Sequence, residues 1–227
     1  IRPWGKALYL KVMGGFLNRG DSVTVVFGDK RQGSPGWRMQ TFCETSFEFK
    51  TLVDPYATYR FKEVEKSPEL EIIAGEPVKA ICIAPSQVLT GGLFTAYLRM
   101  EDRWGNSVGS ARKYKMTASG VEKIDTVVVT DTETGLSAES NPFRVAAELP
   151  DRKQWWADFH GQPEETIGSN TIENYFRYAK ECSILDIAAH QGNDFQITDE
   201  FWEKVNSTTK KFYERGNFVT FPGYEWS

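Results

Sequence analysis

The sequence predicts an α+β protein in two parts: an all-β sandwich over residues 1–148, built as one body or as two sandwich-like halves, and the first β/α units of a parallel sheet over residues 149–227. Three observations carry this. From Ala7 to about Val145, short runs of β-branched and aromatic residues recur between clusters of Gly, Asn and Asp, which is the pattern of strands and turns. No long 3.6-residue periodicity interrupts them. After Val145, apolar runs alternate instead with amphipathic helical spacing.

The strand candidates follow one another closely. Leu8–Val12 and Ser22–Phe27 flank the turn residues Asn18 to Asp21; the Arg19-Gly20-Asp21 tripeptide reads as that turn rather than as an adhesion signal. Further runs lie at 39–42, 47–52, 58–64, 70–73, 78–83, 96–100, 112–116, 125–130 and 141–145, with turn chemistry at 103–106 and 131–135. Residues 146–151 read as a linker.

In the last third, Trp155 to Phe159 reads as a strand. Asn170 is placed to cap a helix whose apolar face is Ile172, Tyr175, Phe176 and Ala179. Ile184 to Ala189 suits a strand buried on both faces, interrupted by Asp186, which needs a partner if buried. Thr198 is a second N-cap, with Asp199 and Glu200 in the first turn. Phe201, Val205, Thr208 and Phe212 repeat the helical spacing, Gly216 is placed to end that helix, and Phe218 to Phe221 is a third strand. Strand, helix, strand, helix, strand implies right-handed crossovers and a parallel sheet.

Composition narrows the function. A net charge of −4 argues against a general nucleic-acid binder. No apolar stretch reaches the roughly 20 residues of a membrane span. Cys43, Cys82 and Cys182, odd in number and widely spaced, read as buried thiols and favour a reducing, cytoplasmic compartment.

The only two histidines, His160 and His190, each close one of the apolar runs, and Glu225 follows the third. Sites in parallel β/α folds form at the carboxyl ends of strands. His160, His190 and Glu225 are therefore candidate ligands for a divalent transition metal such as Zn, Mn or Fe. Asp158 and Asp194 are candidate catalytic carboxylates that would take a proton from metal-bound water. Gln162 and Asn193 are candidate substrate-binding amides. The structural alternatives are that Asp158 anchors the turn before Gly161 and that the amides order their own loops.

Asp158-Phe159-His160-Gly161-Gln162, Glu165-Thr166-Ile167-Gly168, His190-Gln191-Gly192-Asn193-Asp194-Phe195 and Phe221-Pro222-Gly223-Tyr224-Glu225-Trp226-Ser227 resemble an uncharacterised bacterial and environmental family, domain of unknown function 3604. Its catalytic-like part is similar to the PHP (polymerase and histidinol phosphatase) metal-dependent phosphoesterases. Gly20-Asp21, Phe27-Gly28-Asp29-Lys30 and Gly33-Ser34-Pro35-Gly36 resemble its N-terminal region. The resemblance implies a distorted β/α barrel with a two- or three-metal cluster. His160 matches the first histidine of the opening motif, His190 that of the second, and Glu225 the metal-bridging glutamate of the third. Gln162 stands where the family pattern has a second histidine, and Ala189 where it has Asp.

The expectation is a truncated, PHP-like hydrolase of a small phosphoester or related substrate, inactive as this fragment, with an incomplete barrel whose open edge pairs with another copy or packs on the sandwich. The competing expectation is a non-catalytic carbohydrate- or protein-binding sandwich with a degenerate β/α scaffold, which the Gln162 departure favours.

Overall fold

A computed structural model describes residues 7–226. The chain divides into two compact units, Ile1–Thr41 and Phe42–Ser227.

In the first unit the described residues form turns and extended segments and no strand. Asp21 N–H donates to the Asn18 carbonyl at 3.1 Å, and Asn18 N–H to Asp21 Oδ2 at 2.6 Å, so Arg19-Gly20-Asp21 is part of a turn. The strands expected at Leu8–Val12 and Ser22–Phe27 are absent. Their residues have strand propensity, but that propensity works through cross-strand and same-face neighbours. Leu8, Leu10, Val23 and Val26 are largely exposed, so little packing supports a strand there.

The second unit opens with β1 (Glu44–Glu48), β2 (Leu52–Val53), β3 (Lys62–Glu63) and β4 (Glu69–Ile72), paired antiparallel as β1–β4 and β2–β3. Then come β5 (Lys79–Ile83), β6 (Gln87–Leu89), β7 (Leu93–Glu101), β8 (Arg112–Thr117), β9 (Lys123–Asp125), β10 (Val128–Thr130), β11 (Ser137–Glu139) and β12 (Phe143–Ala146). β5-β7-β8 is an antiparallel sheet, and β6-β12-β9 a mixed one. The β10–β11 hairpin reaches β5 through the Cys82–Ser140 bridge.

These sheets share one core. β7 alternates as a half-buried strand should, with Phe94, Ala96, Leu98 and Met100 inside. Val88, Val129, Phe143 and Val145 meet them from the other strands. The two turns read from the sequence are each built on a buried aspartate. Asp102 accepts from the backbone N–H groups of Gly75, Trp104 and Asn106 and from the Asn106 amide. Asp131 accepts from Thr134 and is paired with Arg112.

The last third follows the expected order: β13 (Ala157–Gly161), α1 (Ile172–Glu181), β14 (Ile187–His190), β15 (Gly192–Asn193), α2 (Asp199–Phe212), β16 (Val219–Phe221) and β17 (Tyr224–Glu225). β13-β14-β16 is a parallel sheet, continued by the short parallel pair β15–β17. Its core joins Ile172, Phe176 and Ala179 of α1, Ala188 of β14, Phe201 and Val205 of α2, and Phe218. The sheet is open, with β13 and β16 at its edges and no closed barrel.

Two helix ends differ from the sequence reading. Thr171, not Asn170, caps α1, its hydroxyl accepting from Asn174 N–H at 3.2 Å. Asn170 is engaged elsewhere: it donates to the Cys43 carbonyl and accepts from Thr45 N–H, tying β1 to the start of α1. α2 stops at Phe212, before Gly216, because Glu214 turns away to bridge Phe218. Gly216, at φ +78, serves the turn that follows. Thr198 caps α2 as expected.

The other end of α1 is pinned to the β-rich part of this unit. Ala111 N–H donates to the Glu181 carbonyl at 2.9 Å, and Arg99 to the Cys182 carbonyl at 3.1 Å. Asp186 also has its partner, accepting from Trp156 N–H at 2.8 Å.

Candidate functional site

The candidate residues lie at the carboxyl ends of the parallel strands, in loops shaped by close backbone approach. Gly161 ends β13 against the Tyr175 ring, where a Cβ would lie 2.1 Å from Cζ. The Tyr175 hydroxyl donates to the Ala189 carbonyl at 3.2 Å and stands 3.4 Å from that of Asp158. Burial, with the Asp158 charge adding to it, pushes the Tyr175 pKa well up, so the phenol stays a donor. Sequence spacing marks Tyr175 only as part of an apolar helix face; its role as the latch between β13 and β14 comes from the fold.

His160 is exposed on β13, and its backbone N–H donates to Asp158 Oδ1 at 2.9 Å. Asp158 therefore anchors the turn before Gly161, at an irregularity in the β13–β14 register. His190, at the end of β14, is fully buried. Its Nδ1 lies 2.7 Å from the Gly223 carbonyl. A carbonyl only accepts, so Nδ1 carries the proton and Nε2 keeps its lone pair. That Nε2 is buried without a hydrogen-bond partner among the described residues. The ring stands edge-on to Phe201 of α2, centroids 5.5 Å apart, and so lies on the helix side of the sheet. Burial pushes the His190 pKa below the usual imidazole value, against smaller opposing effects of the Gly223 carbonyl and the Glu165 charge.

Glu225, on β17, accepts at Oε2 from Gln162 Nε2 at 2.9 Å. The carboxylate can only accept, which fixes the amide orientation. Gln162 Oε1 then faces inward, buried and unpartnered among the described residues. Asn193 donates to Gln196 at 3.0 Å, and Gln196 to the Thr166 carbonyl at 3.3 Å. Asp194 opens a 3-10 turn and accepts from Phe195 N–H at 2.8 Å. Glu165 receives Ile172 N–H and the Lys204 ammonium, fixing the 162–168 loop to both helices. Gln196 and Lys204 are part of this frame without any local sequence signal.

The structure thus joins Gln162 to Glu225 directly and His190 to the Glu225 loop through Gly223. It leaves His160 exposed. One feature suits a metal: an imidazole whose Nδ1–H is held by a carbonyl has its Nε2 oriented as a ligand. The donor set as a whole does not fit one. Among the described residues no three His, Cys, Asp or Glu groups are gathered to hold an ion. Gly192 packs close to His190 Nε2: a Cβ on Gly192 would lie 2.9 Å from Nε2 and 2.5 Å from Thr166 Cγ2. No chemical step through a metal is derived from this arrangement.

The family model described as "Protein of unknown function (DUF3604)" matches residues 104–227, more than half of the chain and every candidate residue above. The chain belongs to this family. An uncharacterized protein of Chlamydia pneumoniae is 21% identical over 93% of the chain, and one of Chlamydia trachomatis serovar D is 22% identical over 92%. The chain spans 39% of the length of each. No solved structure matches. Among the described residues, no helix is long and apolar enough to cross a membrane.

Proposed function

We propose that the chain contributes the opening β/α units of a PHP-like hydrolase acting on a phosphoester or a related bond. The observation that carries this reading is the Gln162–Glu225 hydrogen bond, which brings together strand ends 63 positions apart in sequence on either side of the strand that ends in His190. Strand carboxyl ends are where parallel β/α folds place their chemistry.

The resemblance implies a divalent transition metal in the whole protein, where it would supply water activation; the described residues of this chain do not gather its ligands. The chain's own groups supply the surroundings. Gln162 holds Glu225 through a hydrogen bond to Oε2. Asp158 sets the backbone at His160, and Asn193 and Gln196 order the loop beside them. His160, His190 and Glu225 are the residues of this chain that the resemblance assigns to the metal.

The test is hydrolysis of nitrophenyl phosphate mono- and diesters, with Mn²⁺ or Zn²⁺, by a protein extending this chain to the length of its relatives. The expected result is metal-dependent turnover, reduced on the order of 100-fold in His190→Gln and Glu225→Gln. A folded, metal-loaded protein that hydrolyses neither ester would sink the proposal.

A further inference from the structure

Among the described residues no metal-ligand group is gathered, yet the strand ends are joined, and the residue that joins them is Gln162. We infer that Gln162 is a positioning residue that holds Glu225 by hydrogen bonding, without a metal ion in the junction. The inference rests on the reading of these strand ends as the site.

Four observations converge. Glu225 sits on a two-residue strand that pairs, among the described residues, with β15 alone, so the backbone alone holds it weakly. Its carboxylate has no Lys or Arg partner among the described residues, and Gln162 Nε2 is its hydrogen-bond donor at 2.9 Å. A bond from an amide to an ionised carboxylate is charge-assisted and stronger than a neutral one. His190 is turned onto Phe201 and the Gly223 carbonyl, on the helix side of the sheet. The side chain of Ala189, the residue before it, is a methyl group and carries no ligand atom. A carboxamide suits such a junction because it donates without charge and leaves Oε1 as an acceptor inside it.

The experiment uses the whole chain. Metal content is measured after equilibration with excess Zn²⁺ or Mn²⁺ and desalting, and thermal unfolding is followed with and without EDTA. The variants are Gln162→Leu, Glu225→Leu, their double variant and Glu225→Gln. The inference expects well under one equivalent of metal and no shift with EDTA. Each leucine variant lowers Tm by about 2–4 °C, and the double variant falls no further than the singles, because both remove one interaction. Glu225→Gln stays near wild type, since its amide oxygen still accepts from Gln162. A stoichiometric metal that Glu225→Gln releases, or additive leucine effects, would overturn the inference. Hydrolysis is not read here. Absent turnover would count against the proposed function alone, and a bound metal against this inference alone.

Discussion

His190 donates its Nδ1–H to the Gly223 carbonyl at 2.7 Å, so the end of β14 and the start of the Glu225 loop are locked by one buried imidazole. His190→Ala leaves that carbonyl unpaired and opens a cavity beside Phe201. The expected cost is about 2–5 kcal/mol in urea unfolding. His190→Asn, which can still place a donor near the carbonyl, recovers part of it. Nitrogen-15 NMR of the wild-type imidazole should find Nδ1 protonated and Nε2 bare at neutral pH.

Gly168→Ala is expected to be far more damaging than Gly216→Ala. A Cβ at Gly168 would lie 1.8 Å from the Gln162 backbone oxygen, which cannot move without breaking the 162–168 loop. At Gly216 nothing lies within 4 Å, and the cost is only that of a side chain at φ +78, about 1 kcal/mol. Equal losses in the two variants would contradict the packing described for that loop.

Asp102 makes stability depend on acid. Its burial opposes ionisation, but the donors from Asn106, Gly75 and Trp104 together outweigh it and hold the folded pKa well below 3.8. A depressed folded pKa contributes stability above the unfolded value, and that contribution is lost as pH falls below it. Asp102→Asn should be less stable than wild type at pH 7, and the gap should narrow below about pH 4. Urea midpoints measured across pH 2–7 check this, and a gap that widens toward acid would refute it.

Asn170 and Thr171 should separate in amide exchange. Thr171→Ala removes the cap and should speed exchange at Asn174, costing about 1 kcal/mol. Asn170→Ala should leave that amide protected and expose Thr45 N–H instead. The reverse pattern would restore Asn170 as the cap.

Local patterns were legible where a single element satisfies them. The alternation in β7, the Thr198 cap and the strand-helix order of the last third each follow from residues a few positions apart. Asp158 as a turn anchor was one of two readings of a short side chain beside a glycine, and the hydrogen bond to His160 N–H is the geometry of that reading. The strands expected before residue 41 failed because strand formation requires a neighbour that a one-dimensional pattern does not supply.

The sequence by itself therefore determined the β-rich character, the parallel β/α order and the placing of His160, His190 and Glu225 at strand ends. The tertiary structure alone decided what those side chains meet. It turned His190 toward the helix layer, spent Asn170 on β1, and gave Glu225 to Gln162 across 63 positions. Periodicity records which face of an element is apolar, through interactions a few residues long. Hydrogen-bond partners between distant segments depend on how the elements pack, and the geometry of that packing is a property of the whole fold.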